Sequence, residues 1–143
     1  MVEEDSLRDE LAIQRVLYDY AWACDNGDWD LLTSVFTSDS RLDYSSTGGP
    51  TGGREEVVRW LRESLSQVPV IQHVVSNFQI AVTRDRAEGR AMFFTAAQIP
   101  GLDPMLTTGG YYDLAFRYEP GGWKIGRLVE DNRWMSPRPP ARS

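Results

Sequence analysis

The chain has 143 residues, 41% hydrophobic and 25% charged, which suits one domain with a real core and leaves little room for a second. A net charge of −6 argues against the basic face that nucleic-acid binding requires. One cysteine, Cys24, and one histidine, His73, rule out an intrachain disulfide and a classical multi-histidine metal site. No run approaches the roughly 18 apolar residues of a membrane-spanning helix. The acidic start, Met1-Val2-Glu3-Glu4-Asp5, is the opposite of a secretory signal. The expectation is a cytoplasmic single domain over residues 1–143, with an ordered core from about 6 to 135 and a flexible tail over 136–143. No nucleic-acid partner, membrane or cofactor is expected.

From Ser6 to Cys24 apolar residues recur at helical spacing, with Ile13, Val16, Leu17, Tyr20, Ala21 and Cys24 on one face. At about 100° per residue, Tyr18 falls about 140° and Trp22 about 180° from Ile13. The apolar arc exceeds half the circumference, so this helix is expected to pack on two sides. Asn26-Gly27 supplies a left-handed stop, and Asp28 can cap a short helix from Trp29 to Phe36. Thr37-Ser38-Asp39 reads as a break, Arg41 to Tyr44 as a short strand, and Ser45 to Gly53 as a turn-rich loop. A third helix is expected from Arg54 to Leu65, with Val68-Pro69 interrupting it.

The second half changes period. Ile71 to Val82 is rich in β-formers, Thr83 to Arg86 reads as a hairpin turn, and Ala87 to Ala96 follows as its partner. Ile99 to Thr108 reads as a loop. Gly110 to Tyr118 and Trp123 to Trp134 are strands joined at Glu119-Pro120-Gly121-Gly122. Three helices followed by antiparallel strands define an α+β layout, with helices on one face of a curved sheet. Phe78, Ile80, Val82, Phe116 and Trp123 supply more apolar strand surface than those helices cover. Self-association is therefore expected, as a dimer or a trimer.

Few side chains suggest chemistry. Asp25 falls between Ala21 and Tyr18 on the first helix, a carboxylate inside an apolar arc where partial loss of water suits proton transfer. It is also acidic at a helix C-terminus, where the dipole disfavours it. The alternative is a solvated residue of a fraying last turn. His73, in Gln72-His73-Val74-Val75-Ser76-Asn77, is the natural general acid or base. Alternation leaves its face open: Phe78, Ile80 and Val82 share one parity, His73 and Val75 the other. Tyr44, Tyr111 and Tyr112 could donate to a substrate oxygen or simply pack. Tyr18, Trp22, Trp29, Trp60 and Phe93 could line an apolar pocket or fill the core. Arg127 and Arg133 could bind an anion or orient Asp25, or pair at the surface with Glu130 and Asp131. Gly48-Gly49 and Gly52-Gly53 lack the Gly-Lys-Ser/Thr of a phosphate loop, and no serine sits in a nucleophile elbow.

Taken in order, these stretches resemble the SnoaL-like branch of the nuclear transport factor 2-like superfamily, from about Leu7 to Trp134. The matching stretches are Ile13 to Asp30, Phe36-Thr37-Ser38-Asp39, Gly53 to Val58, Gln72 to Asn77, Gly110 to Asp113, and Gly122 to Trp134. The resemblance implies a cone-shaped α+β barrel, three N-terminal helices packed on a strongly bent, mainly antiparallel mixed β-sheet enclosing an apolar cavity. It also implies an Asp–His dyad, on which Asp25 and His73 fall, and a substrate-holding tyrosine, on which Tyr44 falls. A second active-site histidine found in scytalone dehydratases has no counterpart here. The function implied is cofactor-free proton abstraction: a dehydratase-type lyase acting on a hydrophobic polyketide, steroid or terpenoid ring. Alternatives are an isomerase or cyclase on such substrates, and a noncatalytic small-molecule-binding module. Catalysis would rest on Asp25, His73 and Tyr44, and substrate binding on Tyr18, Trp22, Trp60, Phe93, Tyr112 and Arg133.

Overall fold

The structure is a computed structural model that describes residues 2–138. Helix α1 (Val2–Asn26) stops where Gly27 takes φ +68°, a left-handed conformation that glycine adopts without steric cost. Its buried arc runs from Ala23 through Leu17 and Cys24 to Ala21. Helix α2 (Trp29–Ser34) packs beside it, and the sheet lies beneath. Tyr18 and Trp22 remain 48% and 63% exposed, which corrects the reading of the whole apolar arc as buried. The physical reason is the sheet edge: α1 packs chiefly on the strand at one end of the sheet, Val70–Thr83, and among the described residues no further strand lies beyond it.

Asp28 caps α2 by accepting the Leu31 N–H at 3.1 Å. Asp28→Ala is expected to cost about 1 kcal/mol, the usual worth of such a cap, read as a lower urea midpoint with unchanged slope. The helix ends before Phe36, and Thr37-Ser38-Asp39 is not a break. Strand β1 (Phe36–Asp43) already begins there. Phe36 is fully buried and pairs in parallel with Ile125, whose N–H donates to the Val35 carbonyl at 2.8 Å. Long-range pairing overrides the local turn signal.

After a single 3₁₀ turn (Ser45–Thr47) and the two-residue strand β2 (Thr51–Gly52), α3 runs Arg54–Leu65, as the sequence implies. Its Val57, Val58 and Leu61 are buried. Four long strands follow: β3 (Val70–Thr83), β4 (Arg86–Gln98), β5 (Leu106–Glu119) and β6 (Gly122–Ser136). The Ile99–Thr108 loop is thus shorter than expected. Ser136, assigned to the tail, belongs to β6, and residues 139–143 of that tail lie outside the described residues. The sheet order is β2-β1-β6-β5-β4-β3, antiparallel except for β1 beside β6, and it is not closed. Bulges interrupt the register in three of its pairings among the long strands and β1–β6, and each bulge bends its strand. Helices packed on this open mixed sheet make the α+β cone.

One bulge decides the face of His73. Between Ser76 and Gln79 the β3–β4 register shifts, and Asn77 adopts φ +53°. An extra residue there reverses side-chain parity. His73 and Val75 point inward before the bulge, and Phe78, Ile80 and Val82 pack against the core after it. Both alternatives left by the alternation are therefore inward. This also corrects the apolar surface on which self-association was expected. Phe116 and Trp123 are buried, Phe78 meets the Tyr18 ring at 5.8 Å, and Trp123 Nε1 donates to Asp9 at 3.0 Å. Those residues form the inner face beneath α1.

Candidate active site

Asp25, in the last turn of α1, meets His73 near the start of β3. Asp25 Oδ1 lies 2.6 Å from His73 Nδ1, and the carboxylate accepts the His73 backbone N–H at 2.9 and 3.2 Å. The imidazole and carboxylate side chains are 10% and 16% exposed. A carboxylate can only accept, so Nδ1 carries the proton in this pair, and in the neutral form of the ring Nε2 is the nitrogen with the free lone pair. The two N–H donors of His73 also explain an acidic residue at a helix end whose dipole disfavours it.

The His73 ring stands in a wall between two spaces. Inside is a cavity of about 140 Å³ lined by Tyr20, Tyr44, Trp60, Leu61, Leu65, Phe93, Thr95, Thr108, Tyr112 and Glu130. Outside is an open hollow bordered by Tyr18, Trp22, Asp25 and Val74. Within the cavity the Tyr20 and Tyr44 hydroxyls are 2.6 Å apart. Two hydroxyls so paired share one proton between them, which leaves the second free for another acceptor. Burial pushes Tyr20, Tyr44 and Tyr112 well above the usual phenol range, so all three stay protonated donors. Phe93 stacks on Tyr112 at 4.6 Å, and Tyr20 meets the Tyr112 and His73 rings edge-on.

Glu130 is the carboxylate in this lining. The Ser46 and Thr47 hydroxyls donate to its Oε1 at 3.0 and 2.7 Å. Burial raises the carboxyl above the ordinary glutamate range, and those hydrogen bonds offset only part of the rise. Cys24 is buried with its thiol pushed up to about 12 by desolvation. It packs and offers no thiolate. Among the described residues no group of three His, Cys, Asp or Glu side chains comes together as a metal cage.

Tyr44, Trp60, Phe93 and Tyr112 therefore gather with His73 around the cavity, while Tyr18 and Trp22 border Asp25 on the outer hollow. Arg133 does neither, contrary to its expected role at the substrate. It is exposed, bonded to Asp131 at 2.8 Å and stacked over the Tyr111 ring at 5.4 Å. It stands three residues past Glu130 in β6, an odd step that turns it to the opposite face. Sequence reasoning missed Tyr20 as a polar group and Glu130 as a cavity residue. Tyr20 sits in the middle of the apolar stripe, where a buried hydroxyl needs a partner. Glu130 shares the inward parity of Leu128.

A family model described as a SnoaL-like domain matches residues 5–129. An uncharacterized protein of Mycobacterium tuberculosis is 36% identical over 131 residues, 91% of this chain and 89% of that protein. The chain is also similar in structure to a Novosphingobium aromaticivorans protein named as a candidate scytalone dehydratase, with TM-score 0.85 and 22% identity over 100% of this chain and 99% of that one. A hexachlorocyclohexane dehydrochlorinase, LinA-type3 from Novosphingobium barchaimii, gives TM-score 0.83 and 17% identity over 99% and 97%. At these identities the two solved structures share the fold.

Proposed function

Because the chain belongs to the SnoaL-like domain family, we propose that its cavity removes a proton beside a carbonyl without a cofactor, in a dehydratase-type elimination. Isomerisation or cyclisation of the same enolate are related outcomes. The observation that carries this reading is His73, bound to Asp25 through Nδ1 while it lines a cavity rich in aromatic side chains. Nε2 takes the proton, and Asp25 fixes the tautomer and stabilises the imidazolium that forms. The unshared proton of the Tyr20–Tyr44 pair, or that of Tyr112, is donated to the developing enolate oxygen. Fold relatives named for dehydration and dehydrochlorination support an elimination over other chemistries.

The lining narrows the substrate. It contains no lysine or arginine, so nothing there compensates an anionic ligand. Its volume of about 140 Å³ is close to the roughly 150 Å³ that accommodates benzene. The substrate is therefore a neutral compound with a single ring at the reacting end, more compact than a steroid or a fused polyketide.

Deuterium exchange tests this. A panel of single-ring ketones in D₂O, followed by proton NMR, is expected to lose its α-proton signals faster with wild-type protein than with His73→Ala. Equal rates across the panel would replace the catalytic reading with that of a binding module.

A further inference from the structure

A second proton carrier would speed the elimination, because hydroxide is a poor leaving group. Strands β5 and β4 lie between Glu130 on β6 and His73 on β3, so the two groups bound one cavity from separate walls. Both hydroxyl donors of the 3₁₀ turn fall on Glu130 Oε1. Oε2 is left without a protein donor among the described residues. Resting on the function proposed above, we propose that Glu130 Oε2 carries the proton delivered to the departing oxygen.

The groups around Glu130 favour a held proton. Burial is the largest influence and raises the carboxyl, Asp43 acts in the same direction, and no arginine or lysine lines the cavity. Tyr44 and Tyr112 stay neutral. The opposing influences are the Ser46 and Thr47 hydrogen bonds and the charge of a protonated His73. The proposed step begins with the proton on Glu130.

The step balances. The C–H bond beside the carbonyl breaks as Nε2 takes the proton, and its electron pair becomes the new C=C bond. The C–O bond breaks with its pair on oxygen, and the Glu130 proton converts that oxygen to water. Imidazolium and carboxylate remain, and one proton returned from the first to the second restores both.

Two measurements test the assignment. Without any substrate, infrared spectra near neutral pH are expected to show a protonated-carboxyl band that Glu130→Gln abolishes; its absence from wild type overturns the proposal. With 3-hydroxycyclohexanone as the probe, exchange at C2 in D₂O reports proton abstraction, and formation of cyclohexenone reports loss of water. Glu130→Gln keeps an acceptor for Ser46 and Thr47 but has no acidic proton. It is expected to lower the ratio of dehydration to exchange about 100-fold, within the usual worth of general acid catalysis. An unchanged ratio overturns the role of Glu130 alone. If His73→Ala leaves exchange as fast as wild type, or wild type accelerates neither process, the parent reading fails and the proposal falls with it. Cooperative thermal unfolding of Glu130→Gln at a midpoint no lower than that of wild type shows that the folded state is being compared.

Discussion

His73→Ala is expected to lower turnover on a true substrate on the order of 10²–10⁴-fold, the range set by loss of a positioned general base. Asp25→Ala is expected to fall nearly as far, and the double variant scarcely further, because the two side chains act as one unit. Asp25→Asn is the sharper test. The carboxylate accepts two separate donors, the backbone N–H and Nδ1–H of His73. An asparagine has one oxygen. If that oxygen keeps the backbone N–H, its amide NH₂ faces the ring and can only donate, so Nδ1 must become the acceptor and Nε2 the protonated nitrogen. The base is then lost while the fold and ligand binding persist. Steady-state rates with ligand binding by NMR separate these effects. Near-wild-type turnover in Asp25→Asn would overturn the tautomer argument.

The second large effect is expected at Gly89. It faces Ile80 across the β3–β4 ladder, just past the bulge that turns His73 inward. A methyl group at Gly89 would run into the carbonyl oxygen of Gln79, a backbone atom that cannot swing aside. Gly89→Ala is expected to cost about 3 kcal/mol, the upper range for forced overpacking. Because relief requires the bulge to move, it should also displace His73 from Asp25. Gly101 gives the contrast, since nothing lies within 4 Å of an added Cβ there and only its φ of +83° resists substitution. Gly101→Ala is expected to cost about 1 kcal/mol, with activity retained. Chemical denaturation and turnover of the two variants together check this, and equal losses would remove the bulge from the account of the site.

Glu130 adds a dependence of stability on pH. Its carboxyl is raised in the folded protein, so the folded state holds that proton to higher pH than the unfolded chain does. The stability it contributes is present below the ordinary glutamate value and is lost as pH rises through the raised one. Glu130→Gln should therefore gain on wild type across that window, and the two should converge in acid.

Much of the molecule was legible where the signal is local. Both ends of α3, the Gly27 stop, the Asp28 cap and the turns after β3 and β5 follow from backbone chemistry within a few residues. The contact between Asp25 and His73 was legible as well, because Asp25 conflicts with its helix end and His73 is the lone imidazole. That conflict is resolved only by a partner, and the hydrogen bonds between them supply it. Tertiary structure decided the rest. The start of β1 depends on pairing with Ile125, 89 positions beyond Phe36. The bulge at Asn77 shifts the side-chain period of 2 by one residue, so no alternation count could assign His73 and Phe78 to the same face. Arg133 and Glu130 exchange their expected places because inward and outward positions alternate along β6, and a charge reads alike on either side. Where a side chain's meaning depends on the face it takes, and that face on pairing far along the chain, the fold makes the choice.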